Sequence, residues 1–331
     1  MATLASTNPT LADLAARMGA DGKIDPNIVE MLNETNEILD DMTFIEANGF
    51  TEHKTTIRSG LPAGTWRKLN YGVQPEKSRT VSVKDSLGML ETYAEVDKAL
   101  ADLNGNSAAW RLSEDRAFIE GLNQTMATTL FYGDSSLDPE KFMGLAPRYN
   151  LLSAENGQNI IDAGGTGSDN ASIWLIVWGP NTCHGIYPKG SPAGLQSRDL
   201  GEDTLTDAAG GRYQGYRTHY KWDNGLTLRD WRYVVRIANV DVSDLTKNAA
   251  SGGDLIDLLT QAVELIPNIG MGRPVFYMNR KLRSFLRRQI TNKVAASTLT
   301  MEDVGGKKVV SFDGVPVRRS DALLGTEARV V

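Results

Sequence analysis

The sequence predicts an α+β fold made of several lobes, and three observations predict it. Alternation of apolar and polar residues over 54–96 indicates long strands, whereas apolar residues spaced about four apart between 107 and 131 indicate one long helix. Helical and strand patterns are then mixed through the rest of the chain. Because 331 residues exceed what one hydrophobic core usually fills, we expect lobes that share one elongated body.

Composition and charge narrow the class of protein. The formal net charge of −6 and the isoelectric point near 5.3 argue against a protein whose main role is to grip nucleic acid, because phosphate binding requires a basic surface. Cys183 is the one cysteine, so no disulfide can form within the chain, and we expect maturation in a reducing cytoplasm. The start of the chain lacks the pattern of a signal peptide, and the longest apolar run, residues 173–178, is too short to cross a bilayer. We therefore expect neither export nor a membrane span.

Residues 1–50 predict a small N-terminal arm. Apolar residues at 11–18 share one helical face, and Asp25 followed by Pro26 is a start signal for a second helix, whose apolar stripe continues to Leu39. Turn-forming residues separate these short helices, so we expect an arm that lies on something larger. Ordinary packed helices of a single domain are the alternative.

Residues 51–103 predict an extended loop in the form of a long β-hairpin. The segment between its arms, WRKLNYGVQPEK at 66–77, is rich in turn formers, yet it contains two aromatic residues that are costly to leave bare on a monomer. Four residues of this tip are therefore candidate contacts with a neighbouring subunit: Trp66, Arg67, Lys68 and Tyr71. The alternative is that both aromatic side chains fold back onto their own domain.

Residues 104–245 predict a long helix followed by strands and loops. The helix carries apolar residues near spacings of four, namely Trp110, Phe118, Leu122, Met126 and Leu130. It would be about 37 Å long at 1.5 Å per residue, and Gly133-Asp134 ends it. Beyond it we expect a buried strand at 173–178, another at 231–237, and a loop excursion at 179–215 between them.

Three turn or cap signals organise the remaining strands and helices. Asn224-Gly225, flanked by apolar and aromatic residues, predicts a tight hairpin. Within the last segment, residues 246–331, Asp254 and Asn279 are expected to cap two helices on either side of a strand at 274–278. Asp313-Gly314 predicts the turn of a closing strand pair.

Catalytic and metal-binding patterns are absent from the sequence. The three histidines, His53, His184 and His219, have no second ligand pair at zinc spacing, and neighbouring Cys183 and His184 point opposite ways in a strand. No phosphate-binding or dinucleotide-binding motif and no nucleophile elbow occurs. Glu114-Asp115 is a poor acid/base pair, because adjacent helical positions diverge by about 100 degrees. We expect no catalytic site, no metal and no cofactor.

One predicted helix carries the strongest basic cluster in the chain: Arg280, Lys281, Arg283, Arg287 and Arg288. Two functional interpretations are open, contact with DNA phosphates or contact with acidic neighbours. A helix face that is simply solvated is the interpretation that we favour.

The order of these elements resembles that of Hong Kong 97-type shell proteins of tailed bacteriophages: an arm, an extended hairpin loop, a long spine helix, and peripheral and axial domains. Sequence segments are similar as well: SEDRAFIEG at 113–121, FYGD at 131–134, GLAP at 144–147, RPVFYMN at 273–279 and GVPVRRSD at 314–321. The chain is similar in particular to the capsid proteins of short-tailed phages that include epsilon-fifteen and the Bordetella phage. Strands around Trp178 and Tyr233 resemble the peripheral domain of these proteins, yet they precede the helices that resemble the axial domain. A permuted domain order is therefore one expectation.

The resemblance implies a structural major capsid protein. It implies a virion shell of hexamers and pentamers that encloses double-stranded DNA, assembled in the host bacterial cytoplasm, with portal, scaffold and cement proteins as further candidate partners. It implies a spine helix and peripheral domain at 104–245 and an axial domain at 246–331. The alternatives are an encapsulin-like nanocompartment shell, which shares the fold, and a soluble enzyme of unidentified class.

Overall fold

The computed structural model describes residues 34–103, 107–207, 209–246, 253–292, 299–304 and 307–331. The helix predicted at 11–18, and most of the one predicted up to Leu39, lie outside the described residues. The described helices are α1 (Ile38–Asp41), α2 (Lys98–Ala101), α3 (Ser107–Tyr132), α4 (Leu255–Glu264) and α5 (Arg280–Asn292). Short 3₁₀ helices occupy Ala146–Tyr149, Glu155–Asn159, Trp231–Tyr233 and Ile269–Met271.

The strands of the described residues are β1 (Phe44–Glu46), β2 (Glu52–Gly60), β3 (Arg79–Asp97), β4 (Ile160–Asp162), β5 (Asn170–Trp178), β6 (Cys183–Tyr187), β7 (Gln196–Thr206), β8 (Arg212–Leu228), β9 (Val234–Asp241), β10 (Arg273–Met278), β11 (Leu299–Val304), β12 (Lys307–Phe312) and β13 (Val315–Arg319). They join in one continuous sheet, in the order β11-β12-β13-β10-β5-β6-β8-β3-β2. Off this path, β1 pairs with β6, β7 with β8, and β9 with both β4 and β5.

Strand β5 is the centre of the molecule, and all nine of its residues are buried. Successive side chains of a strand point to opposite faces. Trp174, Ile176 and Trp178 accordingly face a core shared with α3, while Ile173, Leu175 and Val177 face a second core shared with α4 and α5. A strand covered on both faces is apolar at every position, which is why this run has no polar alternation.

The hairpin predicted in residues 51–103 is confirmed as the antiparallel pair β2–β3. Its ladder extends from Glu52 opposite Ser86 to Gly60 opposite Arg79. From Leu87 onward β3 leaves β2 and pairs with β8. Strand β3 therefore belongs to the projecting hairpin in its first half and to the body in its second half.

The long helix and its stop are confirmed. Helix α3 has 26 residues, and Leu122, Met126 and Leu130 of the predicted stripe are buried. It ends before Gly133, whose backbone approaches Phe142 so closely that a Cβ there would lie 2.6 Å from the Phe142 carbonyl oxygen.

The predicted caps and the closing turn are also confirmed. The Asp254 side chain accepts hydrogen bonds from the N–H groups of Ile256 and Asp257, and Asn279 accepts one from the N–H of Leu282. Asp313 and Gly314 both have positive φ, 49° and 75°, as the two-residue turn between β12 and β13 requires.

The expectation of a tight hairpin at Asn224-Gly225 is wrong. Both residues lie inside β8, where Gly225 pairs with Leu87 on one side and Ile186 on the other. A Cβ at Gly225 would lie 2.8 Å from the Ser86 carbonyl oxygen and 3.0 Å from the Ile186 side chain. The glycine is thus explained by a close approach of neighbouring strands and not by a turn.

Two further expectations in the middle of the chain are corrected. The stretch 179–215, expected to be a loop excursion, contains β6, β7 and the start of β8. The strand expected at 231–237 begins only at Val234, because the Asp230 side chain accepts the N–H of Arg232 and starts a 3₁₀ turn there.

The four-part division of the chain remains a prediction. Strands β5 and β9 adjoin β10, and α4 and α5 pack on the face that these strands share. The expected boundary between residues 245 and 246 therefore separates segments that contribute to one sheet and one core.

Candidate assembly surfaces

The tip of the hairpin is fully exposed in the single chain. Every residue from Leu61 to Thr80 is exposed, and the Trp66 side chain is 100% accessible. The two aromatic side chains do not fold back onto their own domain, since Tyr71 is also 69% exposed. Arg67 and Lys68 accompany them, so all four predicted contact residues lie together on one projecting loop.

The length of the hairpin explains why its own body does not cover the tip. Strand β3 leaves the body at Ser86, and a strand rises about 3.3 Å per residue. The seven steps back to Arg79 therefore carry the tip roughly 23 Å away from the body. The described body therefore leaves the apolar surface of Trp66 and Tyr71 uncovered.

The base of the hairpin is anchored by one ion pair. Arg148 donates to the carboxylate of Asp85 at 2.8 Å, and Asp85 is buried. The same guanidinium donates to the carbonyl oxygens of Gly144, Met143 and Leu226. Arg148 thus connects the hairpin to the segment after α3 and to β8.

The five residues of the predicted basic cluster differ in their contacts. Arg280 pairs with Asp321 at 2.8 Å, Arg288 lies over the Phe285 ring at 5.0 Å, and Lys281 is exposed. Arg283 turns toward the body and is half-buried. The five residues therefore have different surroundings.

Arginines of α5 and β13 surround the half-buried Arg283. Its pKa is lowered, first by burial, with further lowering by Arg287, Arg319 and Arg318. Glu37 acts in the opposite direction. The four arginines thus combine positive charge from α5 and β13, two separate elements of the chain. The spacing of residues within one helix cannot predict such a cluster.

The described residues show no arrangement typical of catalysis at the candidate pairs named above, Cys183 with His184 and Glu114 with Asp115. Burial raises the pKa of the Cys183 thiol to about 12, so it is protonated at neutral pH. Burial lowers the pKa of His184 to about 4, and its ring lies near His53 and not beside a carboxylate dyad. Glu114 is buried while Asp115 is only partly so, which fits their divergence on the helix.

Within the described ranges, no three or more His, Cys, Asp or Glu side chains come together as a metal site. In the same ranges, no helix combines the length and apolar character needed to cross a bilayer.

A cavity of about 430 Å³ lies between α3 and β3. Apolar side chains such as Leu90, Phe118 and Leu122 line it, and Glu91 is its charged group. A single carboxylate among apolar side chains does not resemble the converging polar groups of an active site.

Comparison with known proteins identifies the family. The family model described as major capsid protein GP7 matches residues 19–331. The solved structure of bacteriophage Epsilon15 contains a chain that is 42% identical, with a TM-score of 0.78, and the match covers 100% of this chain and 99% of that one. A search of curated proteins found no match.

More distant structures share the architecture. The capsid of bacteriophage JBD30 matches with a TM-score of 0.52 at 10% identity, over 95% of this chain and 99% of that chain, which shows the fold. An encapsulin complex from Synechococcus elongatus PCC 7942 matches 70% of this chain and 97% of that chain at 12% identity, with a TM-score of 0.46 that is too low to carry an argument. The Hong Kong 97-type fold predicted from the sequence is therefore confirmed.

Proposed function

This chain belongs to the major capsid protein GP7 family and is a tailed-phage major capsid protein that self-associates into a shell; from that premise we propose that it closes an icosahedral shell of hexamers and pentamers. The observation that carries the proposal is the projecting hairpin, whose exposed apolar tip needs a partner that its own body does not supply. We assign Trp66, Arg67, Lys68 and Tyr71 to the contact with a neighbouring copy.

The shape of the molecule supports this use of the hairpin. A contact between a tip and a different surface of the next copy is heterologous, and such contacts form closed rings when the rotation between copies closes. Stable subunits of this kind share roughly 2,000 Å² or more of interface. A projecting hairpin adds contact area without enlarging the hydrophobic core.

The contents and partners of the shell belong to the same proposal. Double-stranded DNA as the packaged molecule, and portal, scaffold and cement proteins as additional partners, rest on the resemblance to phage capsid proteins. Assembly in the host cytoplasm and the lack of enzymatic activity rest on it as well. For the basic residues of α5 we retain a solvated face at Lys281 and Arg288, since both side chains are exposed and neither has an ion-pair partner among the described residues.

Expression of the chain alone in bacteria tests the proposal. Negative-stain microscopy and sedimentation should show closed shells or rings of capsomer size. Nuclease-treated shells that still contain protected DNA would distinguish a DNA container from a nanocompartment that holds protein cargo. A stable monomer that assembles neither alone nor with the other shell components of its phage would contradict the proposal.

A further inference from the structure

The point at which the hairpin joins the body brings two histidines together. His53 on β2 and His184 on β6 lie with their ring centroids 6.1 Å apart and their planes nearly perpendicular. His184 is 1% exposed, and its Nδ1 has no hydrogen-bond partner among the described residues. His53 Nδ1 accepts the backbone N–H of Asn48 at 3.2 Å, which an unprotonated ring nitrogen can do.

This position is mechanically special because strand β3 changes partners there. His53 is directly opposite Asp85, and two residues later, at Leu87, the ladder with β8 begins. The side chains under this junction therefore contribute, with the Arg148–Asp85 ion pair, to holding the hairpin against the body.

The charges around the two rings favour the unprotonated forms. Burial lowers the pKa of both histidines, and Arg229, which follows β8, lowers both further. Two interactions act in the opposite direction: Asp85, whose carboxylate is already paired with Arg148, raises the pKa of His53, and a hydrogen bond to the Gly179 backbone raises that of His184.

Other titratable groups nearby do not offset these charges. Glu52 and Lys84 are sequence neighbours of His53 and Asp85, so they lie on the opposite face of the hairpin, where they pair with each other at 3.1 Å. Cys183, beside His184, stays neutral because its pKa is raised by burial.

We propose that His53 and His184 make the base of the hairpin an acid-sensitive joint, which releases the hairpin from the body when the imidazoles take up protons. Two imidazolium ions at this distance, beside Arg229, would repel one another in a poorly solvated site. Opening the joint lets water reach both rings. The joint therefore stays closed near neutral pH and loosens as the pH falls.

The size of the effect follows from linkage. If His184 regains an ordinary pKa of 6.5 in the open joint and has about 4 in the closed one, opening becomes roughly 20-fold more favourable between pH 7 and pH 5. The sign is that of a group with a lowered pKa in the closed state, so the stabilisation is lost as the pH falls below about 6.5.

Hydrogen exchange of the full-length chain tests the joint. Protection of the amides of Asn48 and Lys189, whose hydrogen bonds lie at the joint between the base of the hairpin and the body, is measured at pH 7 and pH 5, corrected for chemical exchange and divided by the protection of β5 in the same molecules. We expect this ratio to fall roughly 20-fold in the wild type. We expect a fall of less than about threefold in His184→Phe, which keeps a ring but cannot take up a proton.

The third histidine provides a matched control. His219 stacks on Tyr93 at 4.5 Å, away from the joint, so His219→Phe should keep the wild-type fall. A wild-type ratio that does not change with pH, or an undiminished fall in His184→Phe, overturns the proposal. If His184→Phe does not fold, His53→Gln at the half-buried position serves instead. Removal of the positive charge that His53 takes up beside His184 should reduce the fall of the protection ratio between pH 7 and pH 5. An unchanged fall contradicts the proposal.

Discussion

Arg236 and Glu327 form a buried ion pair, in which Arg236 Nη2 donates to Glu327 Oε2 at 2.7 Å. The two side chains are 5% and 6% exposed. The two residues are 91 positions apart. Arg236 also donates to Ser172 Oγ and to the Tyr149 carbonyl, and the Tyr132 hydroxyl donates to Glu327. The pair thereby ties the C-terminal segment to β9, β5 and the end of α3.

Replacement of Glu327 by Gln should destabilise the folded chain strongly. The amide keeps the size of the side chain but leaves the Arg236 guanidinium as an uncompensated buried charge, and loss of one partner of such a pair costs about 3–5 kcal/mol. Denaturant unfolding monitored by tryptophan fluorescence measures the change. Glu155→Gln, at an exposed position, is the control and should stay within about 0.5 kcal/mol. A loss below about 1 kcal/mol in Glu327→Gln would show that the pair is not a stabilising link.

Trp66→Ala should separate folding from assembly. Because the Trp66 side chain is 100% exposed, its removal should change the free energy of unfolding of the unassembled chain by no more than about 0.5 kcal/mol. If the tip bridges copies, the yield of shells in sedimentation should fall sharply, since a buried aromatic anchor contributes about 2 kcal/mol or more to an interface. Leu137→Ala is the control, as Leu137 is 80% exposed after α3 and has no assigned contact. Shells of wild-type yield and stability would remove Trp66 from the intersubunit contact.

Gly314→Ala should cost stability through the backbone alone. Gly314 has φ of 75°, and nothing lies within 4 Å of where its Cβ would be, so no steric clash contributes. A left-handed conformation costs an alanine about 1–2 kcal/mol. Thermal unfolding compares this variant with Gly64→Ala, where space is equally open and φ is not in the left-handed region. Equal melting temperatures for the two variants would mean that the β12–β13 turn relaxes without cost.

Cys183 should be unreactive in the native chain and should report on unfolding. The thiol is buried, and burial raises its pKa to about 12, so at pH 8 it is neither ionised nor accessible. An excess of a chromogenic disulfide reagent should react with one thiol per chain in denaturant and, in buffer, only at the rate of opening. A fast reaction with the native protein would mean that the β6 region opens far more often than a packed core allows.

Local signals determined much of the fold. The 26-residue helix α3 was predictable from its apolar spacing and its Gly133 stop, and the hairpin β2–β3 from its alternation around a turn-rich tip. The Asp254 and Asn279 caps and the Asp313-Gly314 turn each depend on residues within three positions of one another. Such signals can be read from the sequence because the interacting residues are neighbours in the chain, so the interaction and the sequence pattern extend over the same few positions.

The local signals failed where distant strands decide the structure. Asn224-Gly225 has the composition of a turn, yet β3 and β6 pair on either side and draw both residues into β8. Strand β6 is only five residues long and β7 is rich in polar and charged residues, so neither carries a clear strand pattern, and pairing with the long neighbour β8 decides both.

Sequence by itself therefore determined the class of the fold and the projecting hairpin with its aromatic tip residues, since each is expressed in the order and spacing of neighbouring residues, whereas the structure decided that Trp66 and Tyr71 do not fold back onto the body. Tertiary structure alone decided which charged and titratable groups meet: Arg236 with Glu327, Arg148 with Asp85, and His53 with His184. These pairs are separated by 91, 63 and 131 positions, and no local pattern in the sequence indicates contact at such a separation. They arise because the pairing of β3, β5, β6 and β9 in one sheet brings distant side chains into the same buried space, where burial sets their charge and their interaction energy.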